Sequence, residues 1–378
     1  MREVYIISAV RTAIGKREGM FKDTHPVHLA APVLREAVHR AGIEPPQVED
    51  VILGCVSPIG EQGANIGRTA ALHAGFPVHV PGVQINRMCG SSQQAIHFAA
   101  QAILAGDMDI VLAGGVEHMT RVPMGSDWPP EGIPGWPYAW VHQGLSAEMV
   151  AERWELNREE LDDFAYQSHL KAAAATRAGY FEREILPLTV SLDGQQVEAK
   201  IDEGIRFNPD REKMATLKPV FKEDGVITAG NSSQISDGAA ALVLASDEAV
   251  RRHNLKPRAR IMARVVAADD PVIMLTAPIP ATKRVLTKAG LKLEDMDLIE
   301  INEAFASVVL AWAKELQPDM SRVNVNGGAI ANGHPLGATG AKLMTTLLHE
   351  LERRGGRYGL QTMCIGHGQA TATIIERV

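Results

Sequence analysis

Apolar positions along this chain fall into two patterns, short unbroken runs of four or five residues and longer stretches with helical spacing. The runs at 4–7, 51–54 and 110–113 read as strands, the last ending in Gly114 and Gly115. Between them, 26–41 and 65–74 carry apolar residues three and four apart and stop at Gly42 and Gly75, so both read as helices. This alternation predicts an α/β sheet with parallel pairs. The texture changes from about Met119 to Asn231. Trp128, Trp136 and Trp140 are interleaved there with Pro129, Pro130, Pro134 and Pro137, which remove backbone donors and exclude a regular element. A helix is predicted from Ser146, and Asn157 with Glu160 reads as a capping box opening a long helix to about Ala178, stopped by Gly179. The alternation resumes with a strand at 239–244, and strands at 261–267, 298–301, 323–325, 361–365 and 370–375, with a helix over 338–351, form a second α/β half. Each half places a strand, a Gly-rich turn and a helix before a strand ending in glycine, and the two read as similar units.

One turn stands out. The apolar run 83–85 reads as a buried strand, and 91–104 as a helix with apolar Ala95, Ile96, Ala99, Ala102 and Ile103, ending at Gly106. Cys89 falls between them, at the first turn of the helix, where unpaired N–H groups and the helix dipole favour thiolate over thiol. Gly90, Ser91 and Ser92 are small enough to leave a substrate's approach open. Alone, such a cysteine is better explained by packing, and the rest of the chain reverses that.

Composition narrows the classes. The 378 residues suffice for two or three lobes with a sizeable core. A net charge of −7 argues against a general nucleic-acid binder, and no apolar stretch reaches the ~20 residues that span a bilayer. The N-terminal residues show no signal peptide. Cys55, Cys89 and Cys364 are too few and scattered for a disulfide framework or a zinc site, so no metal is expected and the thiols suit a reducing cytoplasm.

Four further segments carry candidate chemistry. Asn302-Glu303-Ala304-Phe305 follows a predicted strand, and a Gly-rich loop from Asn324 carries His334 into a helix. Cys364-Ile365-Gly366-His367-Gly368 sits at a strand end, and Gly230 to Gly238 is a small-residue loop ahead of another strand. Together they supply a nucleophile (Cys89), a base (His334), a second sulfur able to move a proton (Cys364) and a polar group to fix a water (Asn302). The glycines leave backbone N–H groups near a developing oxyanion. The loop lacks both the phosphate-loop lysine pattern and dinucleotide glycine spacing.

In combination these segments closely resemble the thiolase family, the acetyl-CoA acetyltransferases and 3-ketoacyl-CoA thiolases. The likeness runs end to end, from Ser8-Ala9-Val10-Arg11-Thr12 through Gly114-Gly115-Val116-Glu117 to NEAF at 302–305, GHPLGATG at 333–340 and Cys364-x-Gly366. The resemblance implies a thiolase-like α/β fold, two similar halves in a layered αβαβα core with an inserted loop domain. Its expected divisions are 1–118 plus 237–256, the insert 119–236, and 257–378. It implies reversible Claisen condensation and thiolytic cleavage of 3-ketoacyl-CoA, with coenzyme A and acetyl-CoA as substrates and no permanently bound cofactor. By the same resemblance Cys89 takes the acyl group, and His334 removes its proton and points into the enolate oxyanion hole. Cys364 exchanges a proton with the acetyl-CoA methyl, and Asn302 holds the water that completes that hole. The N–H groups of Cys89 and Gly366 form the second hole. Ser233, Arg206, His142, Phe305 and Gln143 are the implied coenzyme A contacts, and the assembly implied is a homodimer or homotetramer.

Three departures bear on the acyl group. His142-Gln143-Gly144 stands where acetyl-specific members usually carry His-Met-Gly, His367 stands where Cys-x-Gly-Gly-Gly has its middle glycine, and residues 128–140 are unusually aromatic. The His367 ring could narrow the site or pack away from it. The aromatic stretch could line an acyl tunnel or pack between subunits. The expectation is a degradative 3-ketoacyl-CoA thiolase of broad or bulky acyl range. Its alternatives are a short-chain biosynthetic acetyl-CoA acetyltransferase and, from outside enzymology, a non-catalytic lipid-binding partner subunit. A decarboxylating ketosynthase would need a second histidine in place of Cys364.

Overall fold

The computed structural model describes residues 2–129 and 131–378; Pro130 of the aromatic stretch lies outside them. Its frame is one mixed sheet whose main path runs Leu298–Ile301, Tyr358–Ile365, Gln369–Arg377, Ala259–Ala268, Val4–Thr12, Ser236–Ser246, Ile110–His118, Asp50–Gly54, Gly82–Ile85. The path is symmetric about its middle. Val4–Thr12 and Ala259–Ala268 meet antiparallel through two register pairs, Tyr5 with Arg260 and Ile6 with Ala259. Outward from that seam the strands of one half have counterparts in the other, which ends in a bridge between Ile299 and Val323. The predicted strand at 323–325 is therefore reduced to that single bridge.

Period-two alternation on these strands feeds separate cores. On Ile110–His118, Leu112 and Val116 face Leu29, Leu34 and Ile66 of the outer helices Pro26–Ala41 and Ile66–His73. Val111 and Ala113 face Ile96 and Ile103 of Ser91–Ala105 together with Met344 and Leu347 of Thr339–Arg354. On the far side Ile299, Ala372 and Ile374 pack on Val285 and Trp312 of Pro278–Ala289 and Ala306–Leu316. The result is five layers, with Ser91–Ala105 and Thr339–Arg354 paired at the centre. They approach closely because Gly340 has no side chain: a Cβ there would lie 2.3 Å from the Gln93 nitrogen. Ser92 Oγ accepts from the Ala341 N–H at 2.9 Å across the same contact.

Strand Ile110–His118 runs through Gly114 and Gly115 rather than stopping there. Added Cβ atoms would lie 2.2 Å from the Ala240 carbonyl oxygen and 2.1 Å from that of Gly337, so these glycines permit close packing instead of a turn. Strand Gly82–Ile85 is the sheet's edge and half exposed, not buried. The chain leaves the main path of the sheet after His118 and returns to it at Ser236, and in between it touches the sheet where Ile185–Leu186 pairs parallel with Arg11 and Thr12. Between lie helix Gln143–Arg153, the capping-box helix Arg158–Arg177 and the hairpin Leu188–Leu192 with Gln195–Ala199. Residues 128–140 hold no helix or strand among the described residues. Ala147, Val150, Leu161 and Ala165 of this insert pack on Phe305, Val308 and Cys364, so it covers the second half's catalytic edge. No helix among the described residues is long and apolar enough to cross a membrane.

Candidate active site

Cys89 is set by a strained turn. Asn86 Nδ2 donates to the Val56 carbonyl at 2.9 Å while its Oδ1 accepts from Met88 N–H at 2.7 Å. This holds Met88 at φ +44°, a left-handed conformation that costs a non-glycine residue about 1–3 kcal/mol. Ser91 Oγ accepts from Arg87 N–H at 2.9 Å and donates to the Met88 carbonyl at 2.6 Å, closing the turn as the helix begins. Ser91 and Ser92 are thus buried and committed to structure rather than lining an approach. Gly90 serves a second neighbour, since a Cβ there would lie 2.3 Å from Ile365 Cδ1. The end of Tyr358–Ile365 therefore comes against Cys89, and the Gly366 N–H reaches the Cys89 sulfur together with the cysteine's own N–H.

Burial outweighs those donors. It pushes the Cys89 thiol up to about 12, with Glu117 adding to the rise and the Cys89 and Gly366 N–H groups opposing it. The helix terminus alone does not make a thiolate, so Cys89 rests as a thiol and would need a base to act as a nucleophile. Cys364 is raised too, by burial and then by its neighbour Cys89.

His334 has the protonation state that such a base requires. Burial, then the charge of Lys342, lowers its pKa to about 3, so the ring is neutral. Its Nδ1 lies 2.6 Å from Thr339 Oγ1, which donates to the Pro335 carbonyl at 2.8 Å and must therefore accept from Nδ1–H. Nε2 then carries the lone pair, facing Asn302 Nδ2 at 3.4 Å. Asn302 Oδ1 is buried with no hydrogen-bond partner among the described residues. Two carboxylates not singled out from the sequence hold the loops. Glu117 accepts from Val56 N–H and Gly337 N–H, each at 2.8 Å, from Ser57 N–H at 3.2 Å and from Gln62 Nε2 at 2.8 Å. Glu303 accepts from Ser168 Oγ at 2.6 Å, Asn324 Nδ2 at 2.9 Å and Ile330 N–H at 3.2 Å, tying the insert to the Gly-rich loop. Both sit inside quoted motifs, but only the fold shows which loops they join.

Cys89 and His334 line one cavity of about 580 Å³ with His142, Gln143, Ser233 and Phe305. His142 caps helix Gln143–Arg153, which starts three residues earlier than predicted, and stacks on Phe221 at 5.1 Å. Phe221 meets Phe305 edge-on at 6.1 Å and completes that wall, a residue the sequence reading passed over. Arg206 is not brought into this cavity. Its side chain is exposed on the insert, and its N–H is held by His169 Nδ1 at 3.1 Å. The cations lining the cavity are Lys16 and Arg17, whose signal in the sequence is a Gly-Lys-Arg loop after the first strand.

The N-terminal domain model of the thiolases matches residues 4–132 and 136–248, and the C-terminal domain model matches 255–377. The chain is 51% identical to a steroid 3-ketoacyl-CoA thiolase of Mycobacterium tuberculosis, over 100% of this chain and 95% of that protein. It is 45% identical to a β-ketoadipyl-CoA thiolase of Acinetobacter baylyi over the whole of both. It is 44% identical to a 3-ketoacyl-CoA thiolase of Vibrio parahaemolyticus, covering 100% and 98%. The solved acetyl-CoA acetyltransferase of Bacillus anthracis superposes with a TM-score of 0.94 at 43% identity, covering 100% and 99%. Fold and site together define an acyltransferase. The chain belongs to the thiolase family.

Proposed function

We propose that this thiolase works in the degradative direction on 3-ketoacyl-CoA esters of broad or bulky acyl group, through an acyl thioester on Cys89. The observation that carries the chemistry is the meeting of the Cys89 sulfur with the Gly366 N–H in a cavity that also holds a neutral His334. His334 Nε2 takes the thiol proton and the sulfur attacks the 3-keto carbon. The resulting oxyanion is held by the Cys89 and Gly366 N–H groups. The C2–C3 bond then breaks, and the enolate of acetyl-CoA leaves toward His334 and the water on Asn302. Cys364 gives that enolate its proton. Incoming coenzyme A thiol loses its proton to Cys364 and takes the acyl group from Cys89, whose departing thiolate recovers its proton from His334. The orphaned Asn302 Oδ1 supports the water-holding role, and the lining by His142, Ser233, Gln143 and Phe305 supports the pantetheine path. Lys16 and Arg17 on that lining suit the phosphates, with Arg206 reserved for a nucleotide lying outside the cavity.

Relatives named for steroid and β-ketoadipyl substrates, and Gln143 facing the cavity, support the acyl range; the short-chain reading is not favoured. We read coenzyme A as the exchanging partner, with no resident cofactor, in a homo-oligomer whose domains divide near 118, 237 and 257. Thiolysis rates across 3-ketoacyl-CoA esters from acetoacetyl to long-chain and ring-bearing ones test the range. Values of kcat/KM that hold or rise with size are expected. A sharp maximum at acetoacetyl-CoA would overturn it.

A further inference from the structure

Behind the loop of the base lies a buried group of charges that the chemistry above leaves unused. Lys342 on the central helix Thr339–Arg354 is 1% exposed, and Arg11, Glu184, Asp202 and Glu300 around it are buried as well. Arg11 takes two of the carboxylates. Its Nε donates to Glu184 Oε1 at 2.7 Å, and its Nη1 and Nη2 donate to Asp202 at 2.7 and 3.0 Å. Among the described residues Lys342 forms no ion pair, and its ammonium donates instead to a neutral acceptor, Asn332 Oδ1, at 2.5 Å. Burial, then Arg11, lowers its pKa to about 8 while Asp202, Glu300 and Glu184 resist the drop, so it is still a cation at neutral pH. An ammonium kept out of water costs several kcal/mol, and a neutral amide offsets little of that. Stability alone is no reason to direct this charge at Asn332.

The reason lies in what Asn332 carries. It is buried, ends the short helix Ala329–Asn332, and is followed directly by Gly333 and His334. Gly333 holds φ +90°, and a Cβ there would lie 2.4 Å from Ser236 Oγ, so the turn has no side chain of its own to fix it. The grips come from outside. Lys342 follows Thr339 by three residues, about one turn along the same helix face. Thr339 Oγ1 holds the His334 ring at Nδ1 while Lys342 Nζ holds Asn332, one on each side of Gly333. Ser236 Oγ accepts from the His334 N–H at 3.1 Å and adds a third hold. The ammonium also reaches the ring through its field, being the cause after burial that disfavours a proton on His334.

We propose that Lys342 is a positioning residue for the base, holding through Asn332 the turn that sets the His334 ring in the cavity with Cys89. The inference rests on reading His334 as the base and goes beyond it, because Lys342 does not line that cavity and acts only through the loop. Displacing a reacting group by about 1 Å can cost a factor of about 100 in rate, so a single buried tie beside the base has a kinetic consequence.

The test is the first half-reaction. Enzyme is mixed with excess acetyl-CoA, quenched at intervals and weighed intact. The amplitude of the acetyl increment counts competent sites, and its rate constant reports the base. Lys342→Met removes the donor at similar length. Asn332→Ala removes the acceptor and leaves every charge of the cluster in place, so it stands as the test even if Lys342→Met does not fold. We expect the rate constant per competent site to fall about tenfold in each, with the acetyl-CoA concentration at half-saturation unchanged. The double variant should be no more than about twofold slower than the slower single, because one contact can be lost only once. A wild-type rate per site in the single variants, whatever the amplitude, would reduce Lys342 to a residue of the fold and overturn the proposal. So would losses that multiply in the double variant. In either case His334→Ala still fails to acylate Cys89, and the base reading stands. A His334→Ala enzyme that acylates Cys89 at the wild-type rate would overturn the base reading and the proposal with it.

Discussion

Thr339 Oγ1 sits 2.6 Å from His334 Nδ1 and donates its own hydrogen bond to the Pro335 carbonyl, which fixes the imidazole as the Nδ1–H tautomer with Nε2 left to accept. Thr339→Val keeps the shape and removes the acceptor. A neutral hydrogen bond is worth about 0.5–1.5 kcal/mol, so kcat should fall about tenfold with KM for coenzyme A little changed. Thr339→Ser should recover most of the loss. Steady-state kinetics of the two variants decide it.

Because burial holds the Cys89 thiol near 12 and His334 near 3, no thiolate–imidazolium pair exists at rest. The rate of Cys89 alkylation by iodoacetamide should therefore keep rising from pH 7 to pH 10 instead of levelling near neutrality. A plateau below pH 8 would contradict this ordering. Mass mapping of the alkylated peptide excludes Cys55 and Cys364 as the source.

Removing the second sulfur separates the half-reactions. Cys364→Ala should still accept an acyl group on Cys89 from acyl-CoA, visible as a mass increment on the intact protein. It should also lose condensation and most thiolysis, by about 100-fold or more for a group that transfers a proton. Cys89→Ala should show no increment at all.

Among the described residues Glu117 meets four nitrogen donors and forms no ion pair. In Glu117→Gln an amide N–H₂ must face one of those donors, at a cost of about 1–3 kcal/mol for a buried unsatisfied group. Thermal melting should drop by several degrees. Turnover should fall as well, because Gly337, three residues after His334, loses its anchor.

Four buried histidines set the acid limit. Burial, the leading cause in each, holds His97, His334 and His349 near 3 and His169 near 4, all below the ordinary 6.5. A depressed pKa means the unfolded chain binds protons that the folded one refuses, so stability rises with pH in this window. Their contribution is fully present above about 6.5 and is lost as pH falls toward 4, by up to about 1.4 kcal/mol per pH unit for each histidine. Urea midpoints measured from pH 7.5 to 4.5 should fall steadily. A flat profile would refute the neutral, buried state.

Much of this molecule could be read from its residues where local rules act alone. Gly42 and Gly106 end helices where glycine C-caps should, and Asn157 with Glu160 forms the expected box. Misreadings came where a distant segment decides. Gly114 and Gly115 look like a turn but admit Ala240 and Gly337. Gly90 looks like an open approach but admits Ile365. The helix-dipole argument for a thiolate was sound in sign, yet burial by the rest of the chain outweighs it. Cys89 and His334 were legible as chemistry, whereas Glu117, Glu303 and Phe221 needed the fold to show what they touch.

The seam between the halves has a consequence for how this protein reports on itself. On the proposed mechanism the nucleophile Cys89 comes from one half and the base His334 from the other, and they meet only if Ser91–Ala105 and Thr339–Arg354 dock at Gly340. A half that folds alone holds its own catalytic side chain in place and turns over nothing. Catalytic activity is thus a measure of interdomain register, and a substitution at Gly340, whose added side chain would push against Gln93, would move both catalytic side chains relative to one another.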